Sequence, residues 1–167
     1  MAIRGAANML GHHIDTDVII PARYLVTIDP VELAKAVFED LDPSLRGRIT
    51  PGDVLVAGEN FGQGSSREHA PIAIKGLGVS CIVAMSFARI FYRNAFNVGL
   101  PVVECREAHG RVAEGDILEV DLASGKIRDA TRDEVYDGTP VPEFMQRLLA
   151  AGGIVGYVRA ELARQQR

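Results

Sequence analysis

Residues 54–84 read VLVAGENFGQGSSREHAPIAIKGLGVSCIVA. The stretch opens with an apolar run over residues 54–57, passes through a loop with two glycines, and continues with a helical pattern over residues 68–76. A second apolar run over residues 79–84 ends it. A strand, a helix and a further strand in this order predict a βαβ unit, in which the two strands lie parallel.

The alternation continues along the chain. A helical pattern over residues 87–98 carries two arginines and an asparagine at four-residue spacing, opposite two phenylalanines, and we interpret the polar side as a solvated face. Gly99 follows where a helix C-terminus favours a left-handed residue. Residues 100–103 then form a third strand-length apolar run, which extends the predicted parallel core.

The segments on either side of this core also carry structural signals. An aspartate cap and a proline at the first helical position predict a helix over about residues 30–39. Residues 116–122 and 126–129 flank a glycine-containing loop, a pattern typical of a β-hairpin. From Glu143 onward the pattern is helical, with an interruption at residues 152–153.

Composition bounds the class of protein. The chain has 167 residues, 47% of them apolar, and a net charge of -4, which fits one globular domain over residues 1–167. Lysines and arginines do not cluster, so the sequence lacks the electrostatic footprint of a nucleic-acid-binding protein. No apolar run is long enough to cross a bilayer, and residues 1–10 lack the apolar core of a secretory signal. We expect a cytoplasmic protein with neither a nucleic acid nor a membrane as partner.

The potential metal ligands are few. Cys81 and Cys105 lie in apolar surroundings without metal-ligand spacing, which predicts buried free thiols. His12 and His13 are adjacent, so their side chains would diverge in an extended segment. We therefore expect no metal to be held by this chain alone.

The loop after the first predicted core strand has the composition of an oxyanion-binding corner. Gly62 and Gly64 allow a ligand to approach the backbone closely. Ser65 stands three residues before Glu68, the spacing of a capping box, so the partial positive charge of a helix start would lie beside it. Arg67 adds a planar donor fork that suits carboxylate or phosphate. The alternative is that these residues serve only as a helix cap and a turn.

Several other motifs do not fit this loop. The third glycine of the dinucleotide fingerprint is missing, as is the Gly-Lys-Ser/Thr ending of the phosphate loop. Glu68 stands where a nucleophile elbow would need its second glycine. Ser65 and His69 share a helical face, but no orienting acid is identified, which disfavours a hydrolase triad.

A second polar constellation occupies residues 15–25. Asp15 and Asp17 flank a threonine, and by itself this pattern predicts a turn in which Asp15 caps the backbone. Together with residues 60–70 and 86–94, however, the segment resembles the small subunit of 3-isopropylmalate dehydratase, which corresponds to the swivelling domain of the aconitase superfamily. The resemblance implies an α/β fold: a swivelling β/β/α domain with a central βαβ core, a peripheral β-hairpin and a helical C-terminal tail.

The resemblance also implies a reaction shared with a partner. It implies a larger subunit that holds a [4Fe-4S] cluster, and the two cysteines of this chain could not supply the cluster's ligands. The implied chemistry is loss and re-addition of water, converting 2-isopropylmalate to 3-isopropylmalate in leucine biosynthesis. Carried over by motif, Ser65 is the base that removes the carbon-bound proton. Ser66 and Arg67, with Gly64, would bind a substrate carboxylate, and Asp17 would support proton transfer to the leaving hydroxyl through a histidine of the partner.

A loop that resembles the family's substrate-reading segment consists of Tyr24, Leu25, Val26 and Thr27. Homoaconitase-like relatives carry at the position of Val26 an arginine that can pair with an extra carboxylate. Burying an unpaired carboxylate against valine would cost more than the ~0.8 kcal/mol gained per apolar CH₂. The loop therefore favours isopropylmalate over homoaconitate or citrate. Gln63 departs from the pattern, because many of these small subunits have cysteine there.

Two alternatives stay open at this stage. Within the superfamily, the chain could be the small subunit of a homoaconitase or of a methylated-malate dehydratase. In a different class, it could be a non-catalytic module that binds small carboxylates through residues 62–67. The dehydratase hypothesis predicts a subunit that is inactive alone, and it leaves room for homo-oligomers of the isolated subunit.

Overall fold

The computed structural model describes residues 2–167. The strands within these residues are β1 (Ala2–Met9), β2 (Val54–Ala57), β3 (Cys81–Ala84), β4 (Val102–Glu104), β5 (Ile117–Asp121), β6 (Lys126–Asp129) and β7 (Glu134–Asp137). The helices are α1 (Thr16–Ile19), α2 (Pro30–Ala34), α3 (Leu45–Arg48), α4 (His69–Gly76), α5 (Arg89–Asn97), α6 (Ala108–Arg111), α7 (Glu143–Ala150) and α8 (Ile154–Gln165), with a 3₁₀ turn at Ala22–Tyr24.

One mixed sheet joins all the strands in the order β4-β3-β2-β1-β5-β6-β7. Strand β1 connects its two halves, because residues 7–9 pair parallel with β2 and residues 2–6 pair antiparallel with β5. The α/β class, the parallel βαβ core and the β5–β6 hairpin are confirmed. The hairpin lies in the same sheet as the core, on the other side of β1 from the parallel strands.

The parallel half of the sheet forms the centre of the hydrophobic core. Every residue of β2 and of β3 is buried, as expected for parallel strands that are covered on both faces. Helix α5 buries Phe91 and Phe96 and exposes Arg89 and Arg93, which confirms the solvated polar face predicted for it.

The helix predicted over residues 30–39 is shorter than expected. Asp29 caps it as predicted, since its Oδ1 accepts a hydrogen bond from the Val31 N–H, but α2 ends at Ala34. The chain then turns so that the buried Phe38, at a φ of 61°, donates its backbone N–H to the carbonyl of Ile19. This tertiary contact and a left-handed residue are incompatible with a continuing helix.

A charge cluster with two buried carboxylates lies at the antiparallel half of the sheet. Asp129 is 0% exposed; its Oδ1 accepts N–H groups of Thr131 and Arg132, while its Oδ2 has no hydrogen-bond partner within residues 2–167. Arg132 Nε donates to Asp116 Oδ2 at 2.6 Å and lies 3.8 Å from Asp129 Oδ2. Burial, together with the Asp116 carboxylate, raises the pKa of Asp129. Burial opposes ionisation of Asp116 too, but hydrogen bonds from Ala113 and Arg132 outweigh it and lower the pKa of Asp116.

None of the helices in the described part of the chain is long and apolar enough to cross a membrane.

Candidate functional site

The candidate site is built on a backbone ladder that continues the pairing of β1 and β2 past the ends of both strands. We call residues 10–16 and 56–63 the loop ladder. Its rungs, written from donor N–H to acceptor carbonyl, are Leu10 to Val56 at 2.8 Å, Gly58 to Gly11 at 3.0 Å, His13 to Glu59 at 2.8 Å, Gly62 to Ile14 at 2.8 Å and Thr16 to Gln63 at 2.8 Å. Because the ladder holds two segments that are about 50 positions apart, it brings the two polar constellations of the sequence together.

Ser65 lies just beyond the last rung and contacts Thr16. The Thr16 Oγ1 is 3.2 Å from Ser65 Oγ and donates to the Ser65 carbonyl at 3.4 Å. Thr16 is 1% exposed, whereas Ser65 is exposed. The sequence pattern did not single out Thr16 as a site residue, although its place between the two predicted acids was a usable signal.

Asp17 and Arg67 meet in an ion pair. Asp15 caps α1 as predicted, because its Oδ1 accepts the N–H of Asp17 at 2.8 Å. The Asp17 carboxylate in turn pairs with Arg67 Nη1, whose side chain is 22% exposed. The pair lacks hydrogen-bond geometry, and within residues 2–167 the buried Nη1 has no hydrogen-bond partner. Arg67 therefore sits beside Ser65 with unused donor capacity, in the form that binds carboxylates well.

The loop from Gly64 to Arg67 presents its backbone outward. In the described chain, the N–H groups of residues 64–67 donate to no intramolecular acceptor. Gly64 has a φ of 99°, and a Cβ built on it would lie 2.6 Å from Asp15 Oδ1. Glycine is required here both by the backbone conformation and by the close approach of the carboxylate. Free amides and a guanidinium on one loop form a site that suits an oxyanion.

The capping box predicted at Ser65 and Glu68 is wrong. Helix α4 begins at His69, with Glu68 itself in the N-cap position and no side-chain cap. Pro71 explains the shift, since a helix capped at Ser65 would place the proline in its interior, where it lacks a donor and clashes with the preceding turn. Starting at His69 puts Pro71 in the first turn, where no N–H is needed. The positive charge near Ser65 thus comes from Arg67 and loop amides, and not from a helix N-terminus beside the serine.

Neighbouring side chains hold the loop in place. The carbonyl of Ser66 accepts a hydrogen bond from Asn94 Nδ2 of α5 at 3.3 Å. Gln63 bridges the loop ladder, because its Oε1 accepts from Asn60 Nδ2 at 2.7 Å and its Nε2 donates to the carbonyl of His13 at 3.3 Å. The departure from the family pattern at Gln63 therefore has a structural use in this chain.

The predicted substrate-reading loop lines a cavity that does not include Asp17, Ser65 or Arg67. A cavity of about 330 Å³ is lined by Tyr24, Val26, Thr27, Glu32, Leu33, Lys35 and Ala36. Val26 is 91% exposed and Ile28 is 72% exposed. The structure brings Asp17, Ser65 and Arg67 together, but it shows no hydrogen bond or ion pair between this group and the Val26 loop within the described residues.

The cysteines do not contribute to this site. Cys81 and Cys105 are both buried free thiols, as predicted. Burial raises the pKa of Cys81 to about 12 and also raises the pKa of Cys105, so both thiols are protonated at neutral pH when no metal is bound. In the part of the chain that the structure describes, no three His, Cys, Asp or Glu side chains form a group that could hold a metal ion.

Comparison with known proteins gives one consistent result. The family model of the aconitase C-terminal domain matches residues 46–108 of this chain. The 3-isopropylmalate dehydratase small subunit of Caldicellulosiruptor saccharolyticus is 57% identical over 97% of this chain and 94% of its own length. The 2,3-dimethylmalate dehydratase small subunit of Eubacterium barkeri is 54% identical, covering 96% of this chain and 98% of its own.

Solved structures agree with these relatives. The crystal structure of 3-isopropylmalate dehydratase (leuD) from Methanocaldococcus jannaschii superposes with a TM-score of 0.93 at 43% identity, covering 99% of this chain and 98% of that one. Aconitase X of Thermococcus kodakaraensis matches with a TM-score of 0.51 at 18% identity, over 82% of this chain and 90% of that one, and this likeness concerns the fold alone.

Proposed function

We propose, since this chain belongs to the family of 3-isopropylmalate dehydratase small subunits, that it is the small subunit of a hydro-lyase that interconverts 2-isopropylmalate and 3-isopropylmalate. The observation that carries the proposal is that two contacts join the segments of Asp17 and of Ser65 and Arg67 at the end of the loop ladder: the Asp17–Arg67 ion pair and the contact of Thr16 with Ser65. These residues come from two segments about 50 positions apart, and they supply a hydroxyl, a carboxylate and a guanidinium beside free backbone amides.

Each of the three side chains has a role in this proposal. The Arg67 guanidinium and the Ser66 hydroxyl, with the backbone at Gly64, bind one substrate carboxylate and so fix the carbon that carries the acidic hydrogen. Ser65 Oγ accepts that proton. Asp17 supports proton transfer to the leaving hydroxyl, and its ion pair with Arg67 keeps the guanidinium at the mouth of the site.

A serine can act as base only if its alkoxide is stabilised. Each pKa unit corresponds to about 1.4 kcal/mol, and with α4 beginning at His69 the helix dipole falls off before it reaches Ser65. The stabilisation is therefore assigned to Arg67, to the free amides of residues 64–67 and to exclusion of water when the partner docks. The exposure of Ser65 in this structure explains why the isolated subunit should be inactive.

The partner in this proposal is a large subunit that carries a [4Fe-4S] cluster. This chain cannot ligate the cluster itself, because its two cysteines are both buried and are too few for the cluster's thiolate ligands. The cluster, when bound by the partner, supplies a Lewis-acidic iron for the substrate hydroxyl and a carboxylate. The cytoplasmic location expected from the sequence stays a prediction, as does self-association of the isolated subunit.

Val26 is proposed to contact the variable substituent of the substrate. Its 91% exposure leaves the valine free to pack against an isopropyl group of a substrate. Each buried CH₂ contributes about 0.8 kcal/mol, whereas a carboxylate facing this valine would lose its water without gaining a partner. The relative that is named as a 2,3-dimethylmalate dehydratase small subunit makes a smaller methylated malate the second candidate substrate.

The test is reconstitution with the large subunit under anaerobic conditions, followed by turnover assays on 2-isopropylmalate, 2,3-dimethylmalate, homoaconitate and citrate. Ser65→Ala should reduce turnover of the preferred substrate by about 10²- to 10⁴-fold, the contribution typical of a proton-transfer group, while Ser124→Ala in the hairpin loop should leave it unchanged. Turnover that survives in Ser65→Ala would refute the role of Ser65. If the wild-type enzyme prefers another of these acids, the dehydratase function is supported but the assignment of 2-isopropylmalate as its substrate is overturned.

A further inference from the structure

His12 holds the loop ladder at a point where a side chain replaces a backbone rung. The N–H of Glu59 donates to His12 Nδ1 at 2.9 Å. We propose that His12 is a positioning residue for Ser65: it fixes the start of the loop that carries the serine and does not itself touch the substrate. This inference rests on the dehydratase function proposed above.

The connection from His12 to Ser65 runs through consecutive hydrogen bonds. Glu59, held by His12, accepts the N–H of His13 through its carbonyl at 2.8 Å. The next rungs lead to Thr16, whose hydroxyl lies 3.2 Å from Ser65 Oγ. A shift at Glu59 therefore moves the segment that places Ser65, because each rung fixes the register of the next.

Gly58 shows that the imidazole is packed tightly against the ladder. A Cβ built on Gly58 would lie 2.2 Å from His12 Nδ1, 2.6 Å from Cγ and 2.7 Å from Cε1. These three atoms all belong to His12, and the φ of Gly58 is not among the positive values of the chain. The ring of His12, and not backbone strain, is therefore what requires glycine at this position.

His109 of α6 also packs against the His12 ring. The two imidazoles pack edge to face with centroids 4.8 Å apart. His109 is itself anchored, because its Nε2 lies 2.8 Å from the carbonyl of Leu10, at the beginning of the loop ladder. His12 thus contacts both Gly58 and an anchored ring, although much of its surface is exposed.

The hydrogen bond from Glu59 requires an acceptor atom at the Nδ1 position of residue 12. Accepting the Glu59 N–H requires a lone pair on Nδ1, so the neutral ring carries its proton on Nε2. Asparagine places its amide oxygen at the position of Nδ1, bonded directly to Cγ. Glutamine places its polar atoms one bond further out, nearer the position of Nε2. His12→Asn and His12→Gln therefore form a matched pair that differs in whether the acceptor is retained.

The experiment measures kcat, KM and thermal stability for reconstituted holoenzyme with His12→Ala, His12→Gln and His12→Asn subunits. A misplacement of about 1 Å can cost on the order of 100-fold in rate, so we expect kcat to fall about 10- to 100-fold in the alanine and glutamine variants. The asparagine variant should stay within about threefold of wild type, because its acceptor is retained. Hydrogen exchange of the segment over residues 59–67 should accelerate in the first two variants only.

A double-mutant cycle with Gly58→Ala tests the packing argument independently. Gly58→Ala should lower kcat by a similar factor by displacing the imidazole, and the double variant His12→Ala/Gly58→Ala should be no worse than either single variant. Additive losses would overturn the inference, as would equal kcat values for the asparagine and glutamine variants. If wild-type holoenzyme is active while His12→Ala matches it, the inference fails alone; if wild-type holoenzyme turns over none of the four acids, the proposed function fails instead.

Discussion

Replacing Thr16 with valine removes the hydroxyl that contacts Ser65 and leaves most of the side-chain shape unchanged. In the folded subunit the Thr16 Oγ1 lies 3.2 Å from Ser65 Oγ and 3.4 Å from the Ser65 carbonyl, on a residue that is 1% exposed. The backbone rung from Thr16 to Gln63 does not depend on the side chain. The substitution thus isolates the contribution of one hydroxyl to the placement of Ser65.

The magnitude follows from the hydrogen bond that is lost. A bond of this kind contributes about 0.5–1.5 kcal/mol net, and about 1.4 kcal/mol corresponds to a tenfold change in rate. We therefore expect kcat of the reconstituted enzyme to fall roughly 2- to 13-fold. KM should change little, because Arg67 and the free amides that bind the carboxylate keep their positions.

The assay is steady-state turnover with saturating large subunit, with Thr16→Ser as the matched control. Serine retains the hydroxyl and loses the methyl group, so it should keep kcat near wild type at some cost in stability. Thermal unfolding of each free subunit separates folding from catalysis. An unchanged kcat in Thr16→Val, or an equal loss in Thr16→Ser, would refute the reasoning.

Three further predictions concern the substrate-reading loop, the charge cluster around Asp129 and the loop from Gly64 to Arg67. Val26→Arg should shift the kcat/KM preference towards an acid with an extra carboxylate, and competing-substrate assays that show no shift would remove Val26 from the site. Asp129→Asn should have a higher Tm than wild type, and the difference should grow as pH rises above about 4, the ordinary aspartate pKa. The reason is that the raised pKa of Asp129 in the folded state makes the wild-type protein lose stability as this carboxyl ionises, whereas asparagine stays neutral. Curves of Tm against pH that run parallel for the two proteins would contradict this. Gly64→Ala should destabilise the subunit by about 1–2 kcal/mol because of the positive φ alone, and the contact of the new Cβ with Asp15 should destabilise it further. An unchanged denaturation midpoint would contradict the close approach of Asp15 to Gly64.

Local patterns predicted the central strands well but failed where distant contacts decide the conformation. Strand β2 matches the predicted range, because four consecutive apolar residues bounded by a glycine admit few other structures. Strand β1 was not predicted, since its sequence AIRGAANM has neither alternation nor β-branched character beyond one isoleucine. It becomes a strand because β2 and β5 pair with its two edges, a tertiary effect that outweighs weak local propensity.

The same distinction applies to the candidate site. The composition of the loop around Ser65 and Arg67 pointed to an oxyanion, and the structure pairs Arg67 with Asp17 and places Ser65 against the neighbouring Thr16. The relation of Thr16 to Ser65 is set by rungs that join segments about 50 positions apart, and no local spacing reveals such a pairing. The capping box at Ser65 was wrong for a different reason, because the effect of Pro71 on the first turn of the helix was readable from the sequence.

The central position of β1 has a consequence for the order in which the protein folds. Arg4 pairs with Glu119, 115 positions later in the chain, in the same sheet that joins β1 to β2. Contacts of such long sequence separation form slowly, because the intervening chain must be ordered first. During synthesis, one edge of the first strand stays open until β5 has left the ribosome. We expect nascent chains that stop before residue 117 to expose this edge, and chaperones to be needed most during that interval.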